Sequence, residues 1–445
     1  MANNGRKINC PELSVLMSVY NGEKYLQDAV DSILKQTFND FEFIIINDGS
    51  TDRTREIIEG YNDDRIVLIN QENTGLTKSL NKGLSLARGE YIARMDADDL
   101  SKPERLEKQL MFLRDNPEVV LLGSNCYRID EDGNVLWISN LPTEEVNIKW
   151  CLLFCNFLFH GTVMFRGKEI NDLGGYNSTV SYAQDYDLWL RIAERYPIAC
   201  LKEPLIYYRI PRKGTITYEK ESEQTKQAEQ TYLEVICKII PEITFMEDEI
   251  KELRCFISGN CELKNVDSAE KLFLRIYHAF CNSSFAPDVK KGKLAIIKIE
   301  PYSKFAWEYF KKGSVKDFDR CIRELLDSGF QGPLAVPDYD LYKSEKNIMS
   351  VLNNYFSCDS KNIELKRKGK NFLATQYHNL SWQYYSLGDM SNFRRCLMKL
   401  LKNRPSGKVI TLLLKSLLGK RAMEALHRLR VKHTVPTIGV YFSIS

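Results

Sequence analysis

The first hundred residues alternate between short apolar runs and stretches with helical spacing. Leu13–Val19, Phe41–Ile46 and Ile66–Ile69 are apolar runs of strand length, and polar turn residues follow them. Between them, apolar positions recur every three or four residues, as in the segment from Tyr25 to Leu34. Strands that alternate with helices predict an α/β domain built on a mostly parallel sheet flanked by helices.

Polar side chains follow three of the predicted strands. Tyr20 comes directly after the first strand, Asp48 closes the second, and the acidic run Asp96–Asp99 follows an apolar run that ends at Met95. Ligands of parallel α/β sheets bind at the carboxyl ends of the strands, so we expect these side chains to share one cleft. Clustered carboxylates repel one another unless a hard cation neutralises them, and Mg²⁺ is typically held by one or two carboxylates plus substrate phosphates. The acidic run therefore predicts an enzyme that handles a diphosphate.

The character of the chain changes after about residue 215. Glycines become rare there, and long amphipathic helical patterns continue to about residue 430. We therefore predict two domains, an α/β domain over residues 1–225 and an all-α domain over residues 226–445.

Composition narrows the class of protein further. The net charge of +3 is close to balance, which does not favour a nucleic-acid partner for the whole chain. The twelve cysteines are scattered and form no C-x-x-C pair, so free thiols in a reducing compartment are expected. The polar segment Met1–Lys7 lacks a signal-peptide core, and no run of about 18 apolar residues predicts a membrane span. These features predict a cytoplasmic protein.

Four motifs occur in a fixed order along the first half of the chain. They are Ser18–Gly22, Asn47–Asp52, Asp96–Asp99 and Gln184–Arg191. Each is weak alone, but together they resemble the family 2 glycosyltransferases, which have the Rossmann-like GT-A fold. The resemblance implies transfer of a sugar, usually from a UDP-sugar and with inversion at the anomeric carbon. It also implies glycan or lipid-linked acceptors in surface polysaccharide or lipopolysaccharide synthesis.

The resemblance also implies the residues of a donor site. Asp48 is expected to accept a hydrogen bond from the uracil N3–H, while Ser18 and Tyr20 form the wall of the nucleotide site. Asp98 is the expected ligand of Mg²⁺ or Mn²⁺, and Asp96 binds the ribose or the metal. Turn capping for Asp48 and strand-end packing for Ser18 are the alternative roles.

The catalytic base and the acceptor side follow from the last motif and its surroundings. Inverting transfer needs a base for the acceptor hydroxyl, and the residue that matches the family base is Asp185. Gln184 stands where the family usually has a glutamate. His160, Gly175 and Tyr176 match segments that line the acceptor side, although a single histidine is equally often structural.

Three assignments stay open beside these. Asp99 is either a further metal ligand or a cap of the helix that follows. Asp187 is expected to be an exposed helix residue or a partner of the helix dipole. The family often has a histidine shortly after a Tyr-Arg pair, but none follows Arg209, so we expect Arg212 or Lys213 to neutralise the diphosphate instead.

The segment Asn392–His433 is strongly basic. It carries twelve lysines and arginines against one acidic residue, Glu424. A solvated charged face is one interpretation. Binding to an anionic membrane surface is the other, since Leu412 and Leu417 lie among the lysines as in an interfacial helix. No motif with interleaved aromatic residues supports nucleic-acid binding.

Two other classes of protein are compatible with part of the pattern. A nucleotidyltransferase would carry a glycine-rich basic loop after the first strand, where this chain has Asn21–Lys24. A non-catalytic nucleotide-sugar-binding scaffold, acting through its C-terminal helices, would not need intact acidic motifs. The presence of Asp96, Asp98 and Asp185 therefore favours the enzyme.

Overall fold

The structure is a computed structural model that divides by its contacts into two compact units. The described residues are 10–211, 215–240, 247–257, 263–283 and 285–286, with isolated residues and short runs between 301 and 399. The first unit comprises residues 1–258 and 272–289, and the second comprises residues 259–271 and 290–445. The domain boundary expected after residue 225 stays a prediction. Arg212, Lys213 and most of the basic segment Asn392–His433 lie outside the described residues.

One mixed sheet forms the centre of the first unit. Its strands follow the order β3-β2-β1-β4-β8-β6-β9-β5, and β7 pairs with β6 beside this path. The strands are β1 (Leu13–Val19), β2 (Phe41–Asp48), β3 (Ile66–Gln71), β4 (Tyr91–Met95), β5 (Leu100–Ser101), β6 (Leu121–Ile129), β7 (Val135–Ile138), β8 (Met164–Arg166) and β9 (Ile198–Arg209).

Helices connect and flank the strands, as the alternating pattern predicts. In the described residues they are α1 (Leu26–Leu34), α2 (Thr54–Glu59), α3 (Leu76–Leu86), α4 (Arg105–Asp115), α5 (Glu145–Leu152), α6 (Gly167–Asp172), α7 (Gln184–Arg195), α8 (Ile216–Glu219), α9 (Glu221–Ile239), α10 (Glu247–Ile257) and α11 (Val266–Asn282). A short 3-10 helix, His160–Thr162, precedes β8. After residue 215 the described elements are all helices, as expected.

The parallel part of the sheet follows from the apolar pattern. Strand β1 pairs in parallel with β2 and β4, and β2 pairs in parallel with β3. All eight residues of β2 are buried, because the strand lies inside the sheet. Met17 is paired with both Ile45 and Met95. The carboxyl ends of β1, β2 and β4 therefore lie at the same end of the sheet.

The second half of the sheet is mixed. Strand β8 is antiparallel to both β4 and β6, β6 is parallel to β9, and β5 is antiparallel to β9. Strands β4 and β5 lie four places apart in the sheet, yet residues 96–99 alone join them. Four inter-strand steps span about 19 Å, and a turn of four residues falls short of that distance. The sheet therefore curls, and the acidic run closes it.

Buried side chains from the helices fill the space against the sheet. In α1 the buried residues Leu26, Ala29, Val30 and Ile33 follow helical spacing, which explains why this face joins the core cluster that also contains residues of β1 and β2. The ten cysteines among the described residues are all free thiols, as expected. No helix in the described part of the chain combines the length and the apolar character needed to cross a bilayer.

Candidate active site

Asp48 fixes the loop between β3 and α3. Its Oδ1 accepts hydrogen bonds from the Thr74 N–H at 2.9 Å and from Gln71 Nε2 at 2.8 Å, and its Oδ2 accepts one from the Gly75 N–H at 2.9 Å. The residue is 3% exposed. Burial alone would raise the pKa of Asp48, but these hydrogen bonds outweigh it and hold the pKa below its ordinary value. Asp48 is therefore a fixed carboxylate at the end of β2.

Ser18 and Tyr20 lie at the adjacent end of β1. Ser18 is half-buried within the strand and pairs with Ile46, whereas the Tyr20 side chain is 53% exposed. The turn after β1 is joined to the start of α2, since the Gly22 N–H donates to Thr54 Oγ1 at 2.8 Å. An exposed aromatic ring beside the buried Asp48 suits a planar ligand such as a base.

The acidic run gathers charge at one point. Asp96 Oδ1 lies 2.5 Å from Nη1 of Arg94, a side chain only 1% exposed. Asp99 Oδ1 accepts a hydrogen bond from the Arg209 N–H at 2.8 Å. A Cβ atom at Gly161 would lie 2.9 Å from both Asp96 Oδ2 and Asp99 Oδ2, so these two oxygens converge above this glycine.

The Asp99 carboxylate is buried, and the described residues do not supply donors for both of its oxygens. Its Oδ2 is buried and accepts no hydrogen bond within the described residues. Burial raises the pKa of Asp99 well above its ordinary value, and the charges of Asp98 and Asp96 raise it further. Converging carboxylate oxygens with an unsatisfied buried atom fit a hard divalent cation, which would offset both effects.

A cation at this point would need ligands from the substrate as well. In the described residues no group of three or more His, Cys, Asp or Glu side chains is arranged to hold a metal ion on its own. Mg²⁺ usually takes one or two carboxylates and completes its octahedron with phosphate oxygens and water. The donor set of Asp96, Asp98 and Asp99 is compatible with that arrangement.

Asp185 lies in the first turn of α7. Its Oδ2 accepts a hydrogen bond from Asn156 Nδ2 at 2.9 Å, and its Oδ1 accepts one from the Tyr186 N–H at 2.8 Å. Burial raises the pKa of Asp185, although the Asn156 hydrogen bond opposes the shift. A carboxylate with a raised pKa is a stronger base, as proton abstraction requires.

Asp187 differs from the expectation of an exposed residue. Its side chain is 13% exposed and forms an ion pair with Arg191, with Oδ2 2.6 Å from Nη2. The two residues are four apart on α7, so they lie on the same face of the helix. The same Arg191 also donates to the carbonyl oxygen of Gly175 at 2.8 Å, which ties α7 to the preceding loop.

His160 and Tyr176 form a pair in which Tyr176 is buried and His160 is half-buried. His160 Nε2 and the Tyr176 hydroxyl are 2.7 Å apart. Burial lowers the pKa of His160 well below its ordinary value, so the imidazole is neutral near pH 7. Burial raises the pKa of Tyr176, and the charges of Asp185 and Asp96 raise it further. Tyr176 therefore lies within electrostatic range of both carboxylates.

Helix α3 connects the Asp48 side of the site with the Tyr176 side. Its N-terminal Gly75 donates to Asp48, and Asn81 binds Tyr176 twice, accepting from its N–H and donating to its carbonyl, both at 2.8 Å. Gly175 has a φ of +70°, and a Cβ there would lie 2.7 Å from Asn81 Oδ1. This close approach explains the glycine in the loop.

Three residues of the site were not predicted from the sequence. Arg94 belongs to a stretch interpreted as an apolar run, yet its buried guanidinium pairs with Asp96. Arg209 donates through Nε to the Asp98 carbonyl at 3.1 Å and through Nη1 to the Asp130 and Glu131 carbonyls, each at 2.7 Å. Asn156 binds Asp185 across 29 residues of sequence, so no local pattern indicates it.

Comparison with known proteins shows which family this chain resembles. The profile described as "Glycosyl transferase family 2" matches residues 14–171. The chain is 39% identical over 212 residues to "Uncharacterized glycosyltransferase MJ1057" of Methanocaldococcus jannaschii, covering 46% of this chain and 72% of that protein. It is 37% identical to "O-antigen biosynthesis glycosyltransferase WbnJ" of Escherichia coli, with 46% and 81% covered, and 34% identical to "Amylovoran biosynthesis glycosyltransferase AmsE" of Erwinia amylovora, with 44% and 75% covered.

The curled mixed sheet flanked by helices is a fold of the GT-A class. The chain belongs to glycosyltransferase family 2. The predicted family and fold class are thereby confirmed. The individual site residues stay predictions, to which the geometry above adds physical detail.

Proposed function

We propose that this protein is an inverting, metal-dependent glycosyltransferase that takes a sugar from a nucleotide-diphosphate donor, most simply a UDP-sugar. The acceptor is a glycan or a lipid-linked glycan in surface polysaccharide or lipopolysaccharide synthesis, a role supported by similarity to the O-antigen and amylovoran enzymes. The single observation that carries the proposal is the convergence of Asp96 and Asp99 oxygens at Gly161, next to the pair formed by His160 and Tyr176.

The donor half of the proposal assigns roles at the strand ends. Asp48 accepts a hydrogen bond from the base through the capacity that its Oδ2 retains, and Tyr20 and Ser18 line the nucleotide. Asp98 and Asp96 would hold Mg²⁺ or Mn²⁺. When bound, the ion stabilises the negative charge that grows on the leaving diphosphate. Arg94 balances the charge of Asp96 on the protein side.

The acceptor half assigns the proton. The acceptor hydroxyl oxygen forms a bond to the anomeric carbon while the bond from that carbon to the diphosphate breaks, and Asp185 takes the hydroxyl proton. Displacement in line inverts the configuration. Gly175 and Tyr176, with His160, form the acceptor side, where the neutral imidazole acts as a hydrogen-bonding group rather than as a charge.

Site variants of the full chain test this function. Nucleotide sugars are first screened by thermal shift with Mn²⁺, and turnover is then measured with the donor that binds. We expect Asp185→Asn to lower turnover by about 10²- to 10⁴-fold while donor binding persists. We expect Asp98→Ala to weaken donor binding in Mn²⁺ and to lower turnover by about 10²- to 10³-fold.

The matched control is Asp172→Asn, since Asp172 is an exposed carboxylate at the end of α6. It is expected to retain full activity. Wild-type activity in both site variants would contradict the assignment. Donor binding with no turnover in the wild type would instead support the alternative function, a non-catalytic scaffold acting through its C-terminal helices.

We also infer that the basic segment Asn392–His433 contacts an anionic membrane surface on the cytoplasmic side, where lipid-linked acceptors reside. Its excess of lysine and arginine and its interspersed leucines support this inference. A chain truncated before Lys408 is expected to shift from the membrane fraction to the soluble fraction. Unchanged membrane association of that truncation would contradict it.

A further inference from the structure

Arg128 on β6 is a cation that forms no ion pair with any residue the structure describes. Its guanidinium carbon lies 4.7 Å from the ring centre of Tyr208, 4.8 Å from that of Phe159 and 5.6 Å from that of Trp137. Among the described residues no carboxylate forms an ion pair with Arg128, and its buried Nε–H has no acceptor. A ring that lies over the face of a guanidinium does not use its in-plane N–H groups as donors, so the terminal N–H groups stay available to an anion.

The aromatic residues that hold Arg128 border the candidate active site. Phe159 directly precedes His160, and Tyr208 directly precedes Arg209. The ring centres of Phe159 and Tyr208 are 4.9 Å apart. Burial is the largest cause of the raised pKa of the Tyr208 hydroxyl. The charge of Asp99 raises this pKa further, whereas the charge of Arg128 lowers it. Arg128 and Asp99 thus both lie within electrostatic range of the same hydroxyl, that of Tyr208.

Strand β7 adds an exposed apolar surface next to this cation. Its four residues, Val135, Leu136, Trp137 and Ile138, are each between 45% and 53% exposed. Trp137 is the register partner of Arg128. Four neighbouring apolar side chains on one strand leave an unusual amount of apolar surface in water, which marks a binding surface.

The charges around the hairpin favour a single amphiphilic molecule over a bilayer. The turn between β6 and β7 carries Asp130, Glu131 and Asp132, and of these Glu131 pairs with Lys24. An extended anionic surface would be repelled by this turn. A single molecule would not be repelled if its phosphate reached Arg128 and its apolar chain lay along β7.

We propose that Arg128 and strand β7 form an acceptor subsite for a sugar joined to an apolar chain through a phosphate. This inference rests on the proposed function and deepens it by naming the acceptor class. A planar guanidinium offers two parallel N–H groups to a phosphate, which suits a phosphorylated lipid better than an uncharged glycan.

Binding of three probes to the full chain tests the subsite. The probes are farnesyl phosphate, farnesol and inorganic phosphate, and affinities are measured by calorimetry. The wild type is expected to bind farnesyl phosphate at least about tenfold more tightly than either of the other two. Arg128→Gln should remove the preference for farnesyl phosphate over farnesol, whereas Leu136→Ser with Trp137→Ser should weaken both.

Matched controls separate this inference from the proposed function. Arg55→Gln removes an exposed arginine of α2 and Met111→Ser an exposed apolar residue of α4, and neither should change probe binding. Thermal shift with the nucleotide-sugar donor reports on the donor site independently. Normal donor binding with equal farnesyl phosphate affinity in the wild type and Arg128→Gln would overturn the subsite alone.

A bilayer contact is the competing explanation for β7. Vesicles of neutral phosphatidylcholine would then bind the wild type but not the Leu136→Ser/Trp137→Ser variant. The Arg128→Gln substitution would leave vesicle binding unchanged. That pattern, without any preference for farnesyl phosphate, would reject the acceptor subsite. Loss of lipid-phosphate binding in Arg128→Gln with unchanged vesicle binding supports it.

Discussion

Single hydrogen bonds set the chemistry of the site at the residue scale. Asn156 Nδ2 donates to Asp185 Oδ2, and this bond opposes the effect of burial on the Asp185 pKa. The Asn156 Oδ1 atom is itself buried without a partner among the described residues. The contribution of Asn156 therefore comes from its amide nitrogen, which positions the Asp185 carboxylate and limits the rise of its pKa.

Replacing Asn156 should move the pH dependence of the reaction. In Asn156→Leu the opposing hydrogen bond is lost, so the Asp185 pKa rises. The base is then protonated at a higher pH, and the acid limb of the kcat/KM profile shifts upward. Rates measured between pH 5 and 9 give the limb directly, with Asn156→Gln as the conservative variant that restores it. An unshifted limb in Asn156→Leu would separate Asn156 from the base.

We expect the site to require glycine at position 161, because a side chain there would displace the Asp96 and Asp99 carboxylates. In Gly161→Ala the new Cβ would lie 2.9 Å from oxygens of both Asp96 and Asp99, so the carboxylates must move apart. We expect the Mn²⁺ concentration needed for half-maximal activity to rise about tenfold or more. Gly60→Ala is the control, because its Cβ would make only ordinary contacts. An unchanged metal requirement would contradict the convergence of the two carboxylates on the ion.

The sequence could indicate some of these residues but not others. Asp96–Asp99 is recognisable because three carboxylates directly follow an apolar strand. Arg94 was detectable too, since a charge within a buried strand two positions before Asp96 points to the same face. Asn156 was not, because its partner is fixed by the packing of α7 rather than by any local period.

At the scale of elements, the connection from β3 to α3 depends on Asp48. Three of its hydrogen bonds come from the residues that make this connection. The apolar runs predicted β2 and β3 well, because parallel strands are buried on both faces. The sequence did not predict that α3 would also carry Tyr176 through Asn81, since that contact joins residues 95 positions apart.

Asp48→Asn should destabilise the fold in a pH-dependent way. The pKa of Asp48 is lowered in the folded state, so its contribution is present above the ordinary carboxyl pKa and is lost as pH falls through the folded value. We expect a loss of about 1.5–3 kcal/mol in the free energy of unfolding at pH 7. Urea denaturation at pH 7 and near pH 3 should show a smaller difference at the lower pH, whereas a constant difference would contradict the charge-based explanation.

At the scale of the whole first unit, closure of the curled sheet depends on the acidic run and on Arg209. The guanidinium of Arg209 binds the Asp98, Asp130 and Glu131 carbonyls, and so joins two turns from distant parts of the chain. The sequence predicted the parallel strands but not this closure. Strand β5 has only two residues, Leu100–Ser101, and so short a strand leaves no periodic signal.

Arg209→Leu should therefore weaken both the fold and the site. Three carbonyl oxygens lose their donor, which is expected to cost roughly 3 kcal/mol in the free energy of unfolding. Chemical denaturation measures this loss, and turnover in the residual folded protein measures the misplacement of the acidic run. Arg195→Gln, at an exposed arginine of α7, is the control. A stable but inactive Arg209→Leu chain would show that the arginine serves the site rather than closure.

The short connection between β4 and β5 has a consequence for how such a chain can diverge. Residues 96–99 are anchored at both ends by strands of the same curled sheet, so their number is fixed by the distance they bridge. Inserting or deleting a residue there would change the distance that the segment can bridge between β4 and β5. Divergence at these four positions is thus open to exchange of side chains, while the length of the segment is held constant by the architecture itself.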